Sequence, residues 1–339
     1  MNWVDCCRCV QPYAVALLLL TSGAHAGQGD ESAFFQHKSQ HAYNAVFGLP
    51  AVASRPVETH EWQLSLEHSN QFMGGSSGDE VLLLDGESTE LGFRYKQRIS
   101  ACWQAEALIP FIAHNGGEFD RAIDDWHRFF GLPDASRGDA PYSRLSYSYE
   151  NLQGKQHDIS SPQSGLGDVQ LSLQRSLACS PDARSEYARS IVRLGIKLPT
   201  GSAEELSGSG ESDLYLDIQT PVYSNGGRWR TAAAIGALYV GKSEKFARQK
   251  QWVAYGSLGA QFVYSHRWRA LTQLDWHTPF YVSALRELGD PAISLTVGIR
   301  YLTAGDQTVE LSISEDIEID TTPDIVARLA WTYRPRAGR

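Results

Sequence analysis

The sequence predicts an all-β protein, a transmembrane antiparallel β-barrel of about 12–14 strands with one short helical insert. Many segments alternate apolar and polar residues with a period of two, which gives a strand one apolar face and one polar face. These segments run for about nine to thirteen residues, the length of a tilted strand that crosses a bilayer. Their polar faces carry charges, which the dry core of a soluble β-sandwich would not accept unpaired. The barrel is therefore favoured over the sandwich.

The first 26 residues have the features of a secretory signal peptide. Arg8 supplies positive charge, residues 10–20 are mostly apolar, and residues 24–26 (Ala-His-Ala) fit a cleavage site. The apolar run is too short for a membrane-spanning helix. We therefore expect export to the outer membrane of a Gram-negative cell, with residues 1–26 removed. The alternatives are an uncleaved anchor or lipidation at Cys6, Cys7 or Cys9.

Charge and cysteine content narrow the possible partners. The formal net charge is −9 at pH 7, which argues against a nucleic-acid partner because such a partner requires a basic surface. Beyond the signal peptide two cysteines remain, Cys102 and Cys179, and they form one disulfide or stay as two free thiols. Residues 27–45 are polar, and we expect a flexible N-terminal segment there. Residues 46–339 then form one barrel domain.

The period-two segments follow one another along the chain, and the first shows the pattern clearly. Trp62, Leu64 and Leu66 alternate with polar residues, so that one face of this strand is apolar. The predicted strands cover 62–72, 81–98, 102–111, 142–150, 168–177, 188–198, 213–221, 229–240, 252–264, 268–277, 291–302, 307–315 and 324–333. Aromatic residues collect near the strand ends, as in the interfacial girdle of a membrane barrel.

The order of turns and loops exposes an inconsistency in this strand count. Membrane barrels alternate short turns at one end with longer loops at the other. Counted back from the C-terminus, strand 168–177 runs in the same direction as the last strand, whereas counting from the front gives it the opposite direction. An even number of strands is expected, so the error lies between residues 98 and 168. Either a strand near 151–160 is missing, or residues 112–130 cross back through the lumen.

The helical insert is predicted near residues 114–130, between Gly116-Gly117 and Gly131. It carries the densest cluster of ionisable groups in the chain, namely His114, Glu118, Asp120, Asp124, Asp125 and His127. Three interpretations stay open: acidic residues that offset a helix dipole, a metal site, and weak catalytic candidates His127 and Asp124 beside a serine such as Ser143. No hydrolase or metalloprotease motif supports the last two. We therefore assign no catalytic residue, metal or cofactor, and an enzyme is the less favoured class.

The insert and the polar strand faces together give the candidates for the lining of a barrel lumen. We interpret the insert as a plug-like helix inside the barrel, because the inconsistent strand count points to the same interval. The lumen-lining candidates are Asp120, Asp124, His127, Arg94, Glu106, Arg193, Lys197, Asp217, Arg269, Asp275 and Arg300.

One long motif resembles a known family. The matching residues are Asp85-Gly86-Glu87, Ile109-Pro110 and the run His114-x-Gly116-Gly117-x-x-Asp120-x-x-Ile123-Asp124-x-Trp126-His127-x-x-Phe130-Gly131-Leu132-Pro133, with Arg137 after it. They resemble the proteobacterial family called domain of unknown function 3187, over a similarity that runs from about Asn44 to the C-terminus. The resemblance implies an outer-membrane barrel without an assigned activity. Such barrels often end on an aromatic residue, whereas here six residues follow Tyr333.

The sequence thus favours a passive channel or a small-solute transport or binding barrel with a plug-like helix. The alternatives are an outer-membrane lipid-modifying enzyme and a structural or surface-interaction barrel without a pore. The expected partners are outer-membrane lipid, the barrel assembly machinery and a small solute.

Overall fold

The computed structural model describes residues 32–53, 55–117, 125, 143–152, 154–177, 190–224, 227–246, 248–303, 306–317 and 321–335. Nearly all of its regular structure is antiparallel sheet, built from the alternating segments of the sequence. The strands are β1 (His60–Ser77), β2 (Glu80–Arg98), β3 (Trp103–Asn115), β4 (Ser146–Asn151), β5 (Gly154–Ile159), β6 (Gln163–Leu166), β7 (Gln170–Ser176), β8 (Ile191–Lys197), β9 (Asp213–Gln219), β10 (Tyr223–Ser224), β11 (Trp229–Tyr239), β12 (Trp252–Val263), β13 (Trp268–His277), β14 (Ala292–Leu302), β15 (Gln307–Asp316) and β16 (Ile325–Tyr333).

The closed wall of the barrel has twelve strands, with the interrupted strand β6–β7 counted as one. From β1 the wall runs through β2, β3, the interrupted strand β6–β7, β8, β9 and β11 to β16, and β16 pairs with β1 to close it. The prediction of an antiparallel barrel of 12–14 strands is confirmed. β1 begins and β16 ends at the same end of the barrel, which we call the turn end. The opposite end, which carries the connections 198–212, 240–251 and 278–291, is the loop end.

The wall is apolar outside and polar inside, as the period of two requires. On β8, Leu194 is 57% exposed while its neighbour Arg193 is 1% exposed. Aromatic rings meet across outer strand pairs near the turn end, with centroids 4.3 Å apart for Trp62 and Tyr95 and 4.6 Å apart for Trp268 and Tyr301. This surface matches a wall that faces lipid and ends in an aromatic girdle.

The inconsistent strand count is resolved by β4 and β5. Both β3 and β4 are antiparallel to β2, so β4 runs in the same direction as β3 and the prediction of the opposite direction was wrong. β4 pairs with the far part of β2 at Val81–Asp85, and β5 returns beside it. The two strands form a hairpin at the loop end and not a span of the wall. The segment suspected near 151–160 is therefore real, and it is β5.

The wall strand made of β6 and β7 is interrupted by a one-residue bulge. Leu166 pairs with Phe111 and Gln170 pairs with Leu108, so the register shifts by one residue between the two pairings. Pro110 has no N–H group and donates no bond to the ladder. Its carbonyl oxygen accepts a hydrogen bond from the Gly167 N–H at 2.8 Å. The bulge turns the Asp168 side chain inward, where it is 5% exposed.

Two short helices accompany the sheet, α1 (Ala42–Ala45) and α2 (Arg286–Gly289). Among the described ranges, no helix is long and apolar enough to cross a membrane. The predicted helical insert lies outside the described residues, apart from Asp125 and the residues up to Gly117. Cys102 is disulfide-bonded, and Cys179, the partner considered above, also lies outside the described residues.

The residues that precede β1 fill the lumen. We call Ser32–Val57 the N-terminal segment; its described residues are almost all buried. It starts at the turn end near Arg300, reaches the loop end at α1, and returns to Gln104 near the start of β3. We expected residues 27–45 to be flexible, and the structure instead packs residues 32–45 against the wall. His37, Lys38 and Gln40 of this stretch pair with carboxylates of the polar inner face.

Candidate functional site: the filled lumen

Cationic side chains of the wall hold the backbone of the N-terminal segment. Arg300 donates to the carbonyl oxygens of Ser32 at 2.6 Å and Phe34 at 2.9 Å. Arg193 donates to the Ala51 carbonyl at 2.7 Å. These bonds satisfy carbonyl groups that have no sheet or helix partner, which matters because a buried unpaired carbonyl is costly.

Acceptors on the wall satisfy backbone N–H groups of the same segment. Each bond joins one segment N–H to one wall side chain that faces the lumen. They are Phe35 to Gln273 at 2.7 Å, Ala42 to Gln71 at 2.9 Å, Gly48 to Asp213 at 2.7 Å and Val57 to Gln104 at 3.0 Å. The segment is therefore anchored along its whole length by side chains and adds no strand to the sheet in the described residues.

An aromatic cluster packs the segment at the loop end. The ring of Phe47 stacks on Phe280 with centroids 5.0 Å apart, and Tyr43 lies edge-on to Tyr281. The Tyr281 hydroxyl also donates to the Tyr43 carbonyl at 2.8 Å. Tyr43 and Phe47 are each 1% exposed, so the bend of the segment is fully packed.

Six of the predicted lumen-lining residues form ion pairs on the inner face. Arg193 donates to Asp217 at 2.6 Å, and Lys197 lies 2.5 Å from Asp168 at the bulge. Glu106 accepts from Arg94, and Arg300 donates to Glu310. All of these side chains are buried. Because the charges are paired, the lumen tolerates them without bulk water.

Two further predicted residues face inward with different surroundings. Asp275 accepts from the Gln273 amide at 2.8 Å and from the Ser257 hydroxyl. Arg269 lies at the turn end and donates to the Trp268 carbonyl at 3.1 Å. Asp120, Asp124 and His127 lie outside the described residues, so their lumen-lining or catalytic roles stay predictions.

His114 of the predicted ionisable cluster and Ser143, the serine considered beside it, are both described and have hydrogen-bond partners. The imidazole of His114 is 2.7 Å from the Ser88 hydroxyl and 3.3 Å from the Leu206 carbonyl oxygen. The Ser143 hydroxyl donates to the Gly117 carbonyl at 3.2 Å. In the described part of the chain, no group of three or more His, Cys, Asp or Glu side chains is placed to hold a metal ion.

Arg193 and Arg300 were among the predicted residues, but other groups that connect the segment to the wall were not. Lys38 pairs with Glu90. Glu67 binds His37 and Gln40 of the segment and also pairs with Arg328 of the wall. Glu67 and Glu90 could have been found, because Glu67 lies on the polar face of a predicted strand and Glu90 shares the polar face of its strand with Arg94. The aromatic content of residues 32–57 was a second sign. With Phe34, Tyr43 and Phe47, this stretch is too aromatic for a solvated tail.

Two small cavities border the segment in the described part of the lumen. One cavity lies at the turn end beside Ser32 and Arg300, and another lies beside Lys38 and His277; each has a volume of about 30 Å³. A volume of this size holds about one water molecule. These cavities do not provide a path for a solute while the segment is in place.

A closed antiparallel wall, an apolar outer surface with aromatic girdles and a charged interior define an outer-membrane β-barrel. The chain belongs to the family described as "Protein of unknown function (DUF3187)", whose model matches residues 13–335. The predicted resemblance is thereby confirmed. No curated protein matches the chain in sequence.

Solved structures of outer-membrane barrels are similar to this one. The COG4313 outer membrane channel from Pseudomonas putida F1 aligns with a TM-score of 0.53 and 10% identity, over 82% of this chain and 96% of that chain. The P. putida toluene transporter TodX aligns at 0.40 and 11%, over 83% and 91%. A Pseudomonas aeruginosa FadL homologue aligns at 0.39 and 9%, over 82% and 90%. Only the first is close enough to support a common fold.

Proposed function

We propose that this protein is a passive outer-membrane channel for small polar solutes, and that the N-terminal segment is its plug. The observation that carries the proposal is the way the segment is held. It fills a charged lumen through side-chain hydrogen bonds, ion pairs and aromatic packing, and contributes no strand to the wall. Its departure would therefore leave the sheet ladder of the barrel intact. The fold shared with an outer membrane channel supports the same function.

A structural barrel without a pore is the second candidate, because the lumen is filled. The two candidates differ in what happens when the segment is loosened. A channel gains permeability, whereas a structural barrel only loses stability.

Tyr43→Ala in the full-length chain tests the proposal. Tyr43 is buried in the aromatic cluster but belongs to no wall strand, so its loss weakens the seating of the segment and spares the wall. A truncation of this kind costs about 3 kcal/mol, which corresponds to roughly a hundred-fold gain in the open fraction. We expect this gain in open probability in planar-bilayer recordings.

Leu64→Ala is the matched control. Leu64 is 45% exposed on the outer surface of β1, so its truncation does not touch the plug. We expect currents from this variant to equal those of the unmodified protein. If the Tyr43→Ala barrel is folded but passes no current, the structural candidate is favoured.

Acid is expected to open the channel through His41. Burial lowers the pKa of His41, which belongs to the plug, to about 3, and repulsion from His277 adds to the effect. A plug that has left the lumen has an ordinary histidine pKa of about 6.5. Seating is thus fully favoured above pH 6.5 and weakens as the pH falls toward 3. Between pH 7 and pH 5 the open fraction should rise about tenfold or more.

The pH dependence is measured by recording open probability at both pH values in the full-length protein and in His41→Gln. The substitution removes the titrating group, so most of the rise should disappear. An open probability that is equal at both pH values in the unmodified protein, or higher at pH 7, would contradict this role of His41.

A further inference from the structure

Two carboxylates face each other on the inner wall at the middle of β1 and β2. Glu67 and Glu90 are directly opposite in the strand register, and they are 4% and 5% exposed. Like charges at opposite positions of neighbouring strands destabilise a sheet. This pair therefore requires cationic partners.

Among the described residues, the wall supplies an ion-pair partner for only one of the two. The Arg328 guanidinium lies 3.1 Å from Glu67 and is shared with Glu310. Within the described residues, the ion pair of Glu90 is with Lys38, whose Nζ is 3.2 Å away. Lys38 belongs to the plug. Its side chain is 8% exposed and that of Glu90 is 6% exposed, so the pair is shielded from water.

The plug presents a cation and hydrogen-bond donors to this place. Residues 32–57 contain no aspartate or glutamate. Beside the Lys38 ammonium, His37 Nδ1 lies 3.1 Å from Glu67 and the Gln40 amide donates to Glu67 at 3.0 Å. When the plug leaves, all three groups leave with it. Glu90 then lacks its described counter-ion and is left directly opposite a second carboxylate.

We propose that Glu67 and Glu90 form a binding site for the primary ammonium group of a small cationic solute, and that Lys38 occupies this site while the plug is seated. The proposal rests on the proposed channel function and names its solute class. An amine that enters the opened lumen restores the charge balance at Glu90 in the way that Lys38 does. The wall thus favours cationic amines over anions and neutral solutes of equal size.

The site itself is tested in the full-length chain with Lys38→Ala. This substitution removes three carbons and the nitrogen, and n-propylammonium has the same atoms. We expect n-propylammonium chloride to raise the thermal unfolding midpoint of the variant saturably, by about 3 °C or more. If Lys38→Ala does not fold unaided, the same salt should restore its folding. Sodium chloride at equal ionic strength is the reference.

Two matched variants define the result. Lys38→Met fills the space of the lysine stem, so it should not respond to n-propylammonium. Lys38→Ala/Glu90→Gln keeps the space but removes the carboxylate, and its response should be lost. The site is overturned if n-propylammonium neither stabilises nor refolds Lys38→Ala, or if the response survives Glu90→Gln.

The solute class is tested separately from the channel function. In a gradient of n-propylammonium chloride, open events of the unmodified protein should show a reversal potential that favours the cation. Glu90→Gln should reduce the permeability ratio of cation to anion several-fold. A ratio that favours chloride in the unmodified protein overturns the solute class and leaves the channel intact. If no open events occur, the channel function fails, and the n-propylammonium response still decides the site.

Discussion

Deletion of residues 32–57 is expected to turn a barrel that is almost always closed into one that is almost always open. The segment occupies the space between the wall strands, and the cavities beside it are each about 30 Å³. None of the wall pairings described depends on it. A shift from about 1% open to about 99% open corresponds to roughly 5.5 kcal/mol, a value within reach of the bonds and aromatic contacts that hold the segment.

Planar-bilayer recording of the deleted barrel and the full-length chain measures this change. Residues 1–31 and residues from Glu58 onward are retained, so that the predicted signal peptide and β1 are unchanged. The control is replacement of residues 32–57 in reversed order, which keeps length and composition but misplaces Tyr43 and Lys38. It should conduct like the deletion. A deleted barrel that is folded and remains silent would show that the segment is not the barrier.

Arg193→Met is expected to destabilise the barrel by about 3–5 kcal/mol. Arg193 is 1% exposed and donates to Asp217 through two nitrogens, at 2.9 and 2.6 Å. It also lies over the Tyr215 ring, whose side chain packs against Gly195. Without the guanidinium, Asp217 is left as a buried charge whose described side-chain partner is the Tyr255 hydroxyl. Denaturant unfolding followed by tryptophan fluorescence measures the loss.

The second substitution Asp217→Asn distinguishes charge from packing. If the unpaired carboxylate causes the loss, Arg193→Met/Asp217→Asn should recover most of the stability. Arg267→Met is the control on the surface, since Arg267 is exposed and, in the described residues, its side chain bonds only the Tyr301 hydroxyl; it should cost less than about 1 kcal/mol. An Arg193→Met barrel as stable as this control would refute a structural role for the pair.

The wall could be predicted from the sequence because the two faces of each strand are determined by residues that are adjacent in sequence. Alternation of residues such as Leu64 and Leu66 with polar neighbours fixes which face meets lipid, and it also places Arg94, Arg193 and Arg300 inside. The conflict in strand direction correctly located the region of β4 and β5. The bulge at Gly167–Val169 was not predicted, because a one-residue shift is set by pairing with Pro110, which is distant in sequence.

The plug could not be predicted in the same way. Residues 32–57 have no period of two or 3.6, and their order comes from wall groups that follow later in the chain. Nothing near Lys38 indicates that Glu90 is its partner, or that Gly48 meets Asp213. The polar character that suggested a flexible segment is instead what matches a polar lumen. The predicted insert near 114–130 remains a separate proposal, since most of it lies outside the described residues.

A disulfide between plug and wall tests the gating role of the segment most directly. A Cβ at Gly48 would lie 3.1 Å from the Cβ of Asp213, close to the separation of about 3.5–4.5 Å found in disulfides. Gly48→Cys and Asp213→Cys are combined with Tyr43→Ala, which loosens the plug, and with serine at Cys102 and Cys179. The variants with only one of the two new cysteines are the controls. We expect the double-cysteine barrel to be silent when oxidised and to conduct after reduction, with redox-independent currents in the controls. Equal currents in the oxidised and reduced barrel would contradict the role of the N-terminal segment as the plug.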